Sequence, residues 1–89
     1  MIRRPVRIIN KLGLHARAAS KLVAVASEYK AEVTLAREGQ EVSGKSIMGV
    51  MMLGAPRGTE VELITDGPDE EAAADAITQL FEDRFGESQ

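Results

Sequence analysis

The period of hydrophobic and polar positions changes several times along the chain, and each period predicts one element of secondary structure. Residues 4–9 alternate, with the β-branched Val6 and Ile8 on either side of Arg7, which predicts a first strand. The apolar side chains of residues 16–29 recur at the three- and four-residue spacing of a helix that buries one face. They are Ala19, Leu22, Val23 and Ala26.

The middle of the chain is typical of two short strands joined by a tight turn. Residues 32–37 alternate again, and Glu38 and Gly39 follow them as a two-residue turn. Residues 40–43 are then the returning strand. The two strands are therefore expected to pair as a hairpin.

The second half of the chain predicts a short helix, a strand and a longer helix. Residues 47–53 suit a helix of about two turns, with Ser46 as its N-cap. Residues 60–65 alternate as a half-buried strand. A last helix runs through residue 85, and Asp69 is expected to cap its N-terminus.

The predicted order is β-α-β-β-α-β-α, in which one-sided strands alternate with amphipathic helices. This order implies an α+β fold, in which helices cover one face of a single sheet and the other face is exposed to solvent. Residues 1–89 are expected to form a single domain, because so short a chain is too small for two cores. Residues 86–89 are expected to fray.

Composition and charge exclude several classes of function. The chain has no Cys and only one His, which excludes disulfides, thiol nucleophiles and the usual zinc sites, so no metal is expected. The formal net charge is −3 and the chain has no long basic run, so the sequence does not indicate nucleic-acid binding. The start lacks the apolar stretch of a signal peptide and no run approaches a membrane span, so we expect a cytoplasmic protein without membrane insertion.

The single histidine, His15, lies where a glycine-containing loop is expected to run into the first helix. A helix N-terminus offers unpaired N–H groups and the positive end of its dipole, which stabilise an anion. Neutral imidazole is the form that attacks phosphorus, and Arg17 can reach the same oxygens if His15 is the N-cap. These features allow a phosphohistidine site held by the amides of Ala16, Arg17 and Ala18. The more common role of a lone histidine at a helix start is that of a polar loop residue or a modest cap.

Two long motifs in register resemble those of the HPr family, the phosphocarriers of the bacterial phosphoenolpyruvate-dependent phosphotransferase system. The first is NKLGLHAR at residues 10–17, and the second is GKSIMGVMMLG at residues 44–54. The resemblance extends over nearly the whole chain. It implies an open-faced β-sandwich, in which a four-stranded antiparallel sheet is covered on one face by three helices.

The resemblance also implies the chemistry. His15 would take a phosphoryl group on its Nδ1 atom from phospho-enzyme I and pass it to a histidine of an enzyme IIA protein, while Arg17 neutralises the phosphate. The chain would act as a covalent carrier rather than as a turnover enzyme, with no metal or organic cofactor, and as a monomer. Ala18 departs from the family pattern, since these proteins usually carry Pro there. We expect altered rates rather than lost activity, because nucleophile and cation are both present.

A second site is implied at Ser46, because residues 45–49, KSIMG, match the family motif whose serine an ATP-dependent HPr kinase can phosphorylate. A phosphate adds a charge of about −1.5 to −2, which a helix N-terminus tolerates. The simpler alternative is that Ser46 is an N-cap and nothing more.

The short helix carries more large apolar side chains than two turns can bury, so some are expected on the surface. Flexible Met side chains suit a surface that meets several partners in turn. The candidate docking residues are Ile47, Met48, Met51 and Met52, extended on the first helix by Ser20 and Ala24. Val50 and Leu53 are expected in the core.

Two other functions remain open from the sequence. One is a regulatory binding module whose contacts with a kinase or transcription factor are switched by phosphorylation of Ser46. The other is a ligand-binding α/β sandwich without phosphate chemistry, which leaves the motif around His15 unexplained. Whether a relay would serve sugar uptake or a nitrogen-type regulatory branch is also open.

Overall fold

The computed structural model describes residues 1–87, which form a four-stranded antiparallel sheet with three helices on one face. The elements are β1 (Ile2–Arg7), α1 (Ala16–Ala26), β2 (Glu32–Arg37), β3 (Gln40–Ser43), α2 (Ile47–Leu53), β4 (Glu60–Asp66) and α3 (Glu70–Glu82), followed by a 3-10 turn at Arg84–Gly86. The predicted order and the open-faced arrangement are confirmed.

The sheet has the strand order β1-β4-β2-β3, so β4 and β2 are the two central strands. Leu35 of β2 pairs with Leu63 of β4, and Val6 of β1 pairs with Val61. These side chains lie in one buried cluster with the inner faces of the helices. The sheet therefore supplies one wall of the core, and α1, α2 and α3 supply the other.

The first strand lies two residues earlier than the alternation predicts. Ile2 already pairs with Thr65. Pro5 is accommodated because β1 is an edge strand, where a residue without a backbone N–H need not break the hydrogen bonds between two inner strands. Beyond Arg7, the Ile8 N–H donates to the carbonyl of Thr59 at 2.9 Å before the chain turns away.

The first helix ends at Ala26 rather than at residue 29. The N–H groups of Glu28 and Tyr29 bond three residues back, to Val25 and Ala26, so the chain tightens into a turn there. This turn brings the backbone that precedes β2 against the start of α3.

The cap predicted at Asp69 is wrong. Asp69 occupies the N-cap position, but its carboxylate makes no capping bond. It accepts instead from the backbone N–H groups of Lys30 at 2.9 Å and Ala31 at 2.8 Å. The residue therefore ties the α1–β2 connection to α3.

The expected fraying of the C-terminus is wrong for Gly86 and Glu87. The backbone at Arg84 and Phe85 adopts φ values of 54° and 55°, which ends α3 and turns the chain back over the start of α1. Phe85 is fully buried, and it anchors this turn in the core. The last two positions of the expected frayed segment, 88 and 89, lie outside the described residues.

Candidate functional site

The loop before α1 is fixed from two sides, and it sets the position of His15. Gly13 has φ +68°, and a Cβ atom there would lie 2.7 Å from the carbonyl oxygen of Ala55. The N–H of Leu14 donates to that carbonyl at 3.1 Å, while the buried Asn10 side chain donates to the Gly13 carbonyl at 2.8 Å. Only glycine suits both the left-handed backbone and the close approach.

His15 is the N-cap residue of α1, which is the condition under which the sequence analysis expects Arg17 to reach the same phosphate oxygens. Its backbone is extended, with φ −81° and ψ −179°, and its carbonyl accepts the first helical hydrogen bond, from the N–H of Ala19 at 2.8 Å. The Nδ1 atom of the ring accepts from the N–H of Arg17 at 3.4 Å. The imidazole caps the helix with this nitrogen, and its side chain is 26% exposed.

The other ring nitrogen of His15 meets a carboxylate that the sequence analysis did not find. Nε2 lies 2.5 Å from Oε2 of Glu87, whose side chain is 13% exposed. The second oxygen of Glu87 accepts from the side-chain amide of Asn10 at 3.1 Å. Because a carboxylate only accepts, a neutral ring in this geometry carries its proton on Nε2 and leaves the Nδ1 lone pair toward Arg17.

Two contacts hold Glu87 in this position. The Phe85 ring lies in the core against Phe81, with 4.8 Å between the ring centroids. The ammonium group of Lys21 on α1 donates to the Phe85 carbonyl at 2.6 Å. The turn that carries Glu87 is therefore bound to the same helix whose N-terminus His15 caps.

The charges around the ring are mostly positive. A surface groove of about 860 Å³ brings three cationic residues together with His15 and Glu87: Lys11, Arg17 and Lys21. Burial raises the pKa of Glu87, but the hydrogen bonds from His15 and Asn10 and the nearby charge of Arg17 lower it more, so this pKa lies below its ordinary value. Glu87 is therefore an anion at neutral pH, and the groove is suited to a second anion.

The three backbone amides expected to hold a phosphate differ in access. Ala16 and Arg17 are exposed, whereas Ala18 is fully buried, with no accessible surface. The first helical bond comes from Ala19, so these three N–H groups precede the helical ladder. Of the three, Ala16 and Arg17 are at the surface, and the expectation for the amide of Ala18 is weakened by its burial.

Ser46 is the N-cap of α2, and its hydroxyl oxygen accepts from the Gly49 N–H at 3.0 Å. The residue is half-buried. Capping alone therefore explains a serine at this position.

The apolar side chains of α2 divide between the core and the surface as expected. Val50 and Leu53 are buried, while Met48 is 72% exposed. The other exposed members are Ile47, Met51 and Met52. Leu12 is 65% exposed and lines the same groove as His15.

The remaining two candidate docking residues, Ser20 and Ala24, are both exposed on α1. Their four-residue spacing places them on one face of the helix, in line with Ala16 at its N-terminus.

Sequence reasoning did not name five residues of the site: Asn10, Lys11, Leu12, Lys21 and Glu87. The available signal was that Asn10, Lys11 and Leu12 belong to the motif at residues 10–17. Glu87 is 72 residues from His15, and no periodicity connects the two. Among residues 1–87 no helix is long and apolar enough to cross a membrane.

Comparison with known proteins finds relatives that match the whole length of the chain. Residues 2–83 match the family described as "PTS HPr component phosphorylation site". The chain is 53% identical over 89 residues to the phosphocarrier protein HPr of Cupriavidus necator and 51% identical over 89 residues to that of Neisseria meningitidis, covering 100% of both chains in each case. The crystal structure of HPr-C-His from Thermoanaerobacter tengcongensis superimposes with a TM-score of 0.96 at 40% identity, again over 100% of both chains.

Proposed function

Because the chain belongs to the HPr family, the phosphocarriers of the phosphotransferase system, we propose that it carries the phosphoryl group on Nδ1 of His15. The observation that supports this most directly is the pair of contacts on the imidazole. Nε2 faces the carboxylate of Glu87 and Nδ1 faces the backbone amide of Arg17. The nitrogen with the available lone pair is thus the one at the helix N-terminus, where a phosphate is stabilised.

The donor in this proposal is phospho-enzyme I, and the acceptor is a histidine of an enzyme IIA protein. The Nδ1 lone pair attacks phosphorus, the bond between phosphorus and the donor nitrogen breaks, and its electron pair stays with the donor. The phosphoryl oxygens then replace Nδ1 as acceptors for the N–H of Arg17, and the exposed amide of Ala16 lies beside them. The Arg17 guanidinium neutralises the added charge.

The chain is a carrier in this scheme, since acceptance and donation of the phosphoryl group together return it to its starting state. Residues 1–89 act as one HPr-like domain in the cytoplasm, as a monomer that presents the same surface to donor and acceptor in turn. The exposed Met48 and its neighbours on α2, with Ser20 and Ala24 on α1, form the docking surface. Adaptable methionine side chains suit two partners of different shape.

Regulatory phosphorylation of Ser46 remains a prediction. The hydroxyl already serves as the cap of α2, so a kinase would have to displace its bond with Gly49. A phosphate would satisfy the same amide and would act through the charge it adds beside Met48 rather than by unfolding α2.

The proposed function is tested by incubating the protein with enzyme I and phosphoenolpyruvate and measuring its intact mass. We expect one phosphoryl group, labile in acid and stable in base, and its transfer to an enzyme IIA protein. His15→Ala should gain none, and Arg17→Ala should gain it slowly. Ser46→Ala is the control, and it should match the wild type. A phosphoryl group gained by His15→Ala would overturn the proposal.

A further inference from the structure

We propose that Glu87 is a positioning residue of this relay: it keeps the proton of His15 on Nε2 and compensates the positive charge that the ring gains when Nδ1 takes the phosphoryl group. The inference rests on the proposed function of His15. It assigns a role to a carboxylate that lies outside both sequence motifs.

The geometry places the two ring nitrogens in opposite roles. Oε2 of Glu87 is 2.5 Å from Nε2, and the N–H of Arg17 is directed at Nδ1. A carboxylate has only acceptor atoms and a backbone amide only a donor, so both contacts are satisfied by a neutral ring with its proton on Nε2. This is the form that exposes the Nδ1 lone pair.

Glu87 is itself oriented by a buried partner. The Asn10 amide donates to Oε1 at 3.1 Å and to the Gly13 carbonyl at 2.8 Å, and Asn10 has no accessible surface. Asn10 therefore ties the carboxylate to the loop that positions His15. A base oriented by a third group is the arrangement found in catalytic triads.

The charges that face the ring come from three parts of the chain. Lys11 lies in the preceding loop, Arg17 and Lys21 lie on α1, and Glu87 lies in the C-terminal turn. Among the lining residues within 1–87, Glu87 is the only carboxylate. Without it, the Nε2 side of the ring would have no anionic side chain among these lining residues. Glu87 is thus the group that can offset a charge on His15.

The transfer then needs no movement of a proton. Nδ1 of the neutral ring forms the bond to phosphorus, the donor's nitrogen–phosphorus bond breaks, and the proton remains on Nε2. His15 becomes an N-phosphoimidazolium whose ring charge is paired with Glu87. In the second transfer the Nδ1–phosphorus bond breaks, its electron pair returns to Nδ1, and the neutral ring is restored.

The test compares Glu87→Gln and Glu87→Ala with the wild type in the full chain. An amide oxygen can still accept from Nε2 but carries no charge, whereas Ala removes the acceptor. The first readout is the Nε2 proton signal of His15 in NMR spectra of the unphosphorylated protein, which we expect in the wild type and Glu87→Gln and not in Glu87→Ala. The second readout is the rate of phosphoryl acceptance as a function of pH.

Loss of the Glu87 charge should change the pH profile of phosphoryl acceptance in two ways. Above neutral pH, Glu87→Gln should accept the phosphoryl group about tenfold more slowly, because the cationic ring is no longer paired. The acid part of the profile should also change, because the charge of the Glu87 carboxylate depends on pH and that of the amide does not. Replacing a residue that only supports the fold would lower the rate without changing the acid part of the pH profile.

Glu82→Gln is the matched control, since Glu82 is exposed at the end of α3, and it should behave as the wild type. A pH profile of Glu87→Gln that superimposes on that of the wild type would overturn the inference, as would an Nε2 proton signal that persists in Glu87→Ala. Neither result would affect the proposed function. Failure of the wild type itself to gain a phosphoryl group at His15 would reject the proposed function instead.

Discussion

The rings of Phe81 and Phe85 pack against each other with centroids 4.8 Å apart and planes inclined by 60°. Both are buried, although the backbone of Phe85 has the positive φ of 55° that L-residues rarely adopt. The buried ring therefore stabilises a backbone conformation that costs energy by itself. Glu87 follows two residues later, so the packing of Phe85 determines whether a carboxylate lies beside His15.

Phe85→Ala should lower the free energy of unfolding by about 3–5 kcal/mol, because it leaves a cavity beside Phe81. Urea unfolding at neutral pH measures this change. Phe85→Leu is the control, since it keeps most of the volume and should cost clearly less. A loss below about 1 kcal/mol for Phe85→Ala would mean that the aromatic pair does not anchor the turn.

Replacing Ala18 by the usual family residue should be tolerated. The Ala18 N–H precedes the helical ladder, whose first bond is from Ala19 to the carbonyl of His15, so Ala18→Pro breaks no helical bond. We expect a change in the free energy of unfolding within about 1 kcal/mol. Transfer should be altered in rate but retained.

The matched variant is Ala19→Pro, one residue along α1. It removes the N–H that donates to His15 at 2.8 Å and should cost about 3 kcal/mol or more. Thermal and urea unfolding of the two variants check the contrast. Equal losses would show that the ladder does not begin at Ala19.

Asp69→Asn should reduce stability at neutral pH and have a decreasing effect in acid. The backbone N–H of Lys30 lowers the pKa of Asp69 most, burial opposes it, and the N–H of Ala31 lowers it further, so the folded-state pKa lies below the ordinary value of 3.8. A depressed pKa means that the carboxylate stabilises the fold above the unfolded-state pKa and that this is lost as pH falls through the folded-state value.

The measurement is urea unfolding of wild type and Asp69→Asn at a series of pH values. The difference between their free energies of unfolding should be constant above about pH 5 and should decrease below about pH 4. Glu41→Gln, at an exposed position of β3, is the matched control for the loss of one carboxylate. A difference independent of pH would contradict the assigned role of Asp69.

Met48→Ser should weaken transfer without weakening the fold. Met48 is 72% exposed, so its truncation should change the free energy of unfolding by no more than about 0.5 kcal/mol. If it docks the partners, the concentration of carrier needed for half-maximal transfer by enzyme I should rise about 3- to 10-fold.

Steady-state transfer from enzyme I and to an enzyme IIA protein measures this effect separately for donor and acceptor. Met48→Leu keeps an apolar side chain of similar size and is the control. Val50→Ala, in the core of the same helix, should show the reverse pattern, with lower stability and little change in docking. Unchanged transfer by Met48→Ser would remove Met48 from the docking surface.

The sequence alone determined the type and order of the elements and half of the site, but not the bounds of β1 or the ends of α1 and α3. Alternation and helical spacing depend on neighbouring residues, so β2, β3 and α2 could be placed to the residue. The glycine loop, His15 at the N-cap of α1 and Ser46 at that of α2 are also local features. A helix start is defined within a few residues of chain, and so is its preference for an anion.

Only the tertiary structure decided what lies across the ring of His15. Glu87 reaches it because two residues with positive φ reverse the chain after α3 and because Phe85 is buried. Asp69 likewise binds the backbone of Lys30 rather than its own helix. Such contacts join segments that are far apart in the sequence, and they form only when the packed core brings those segments together. Local hydrophobic periodicity therefore cannot predict them.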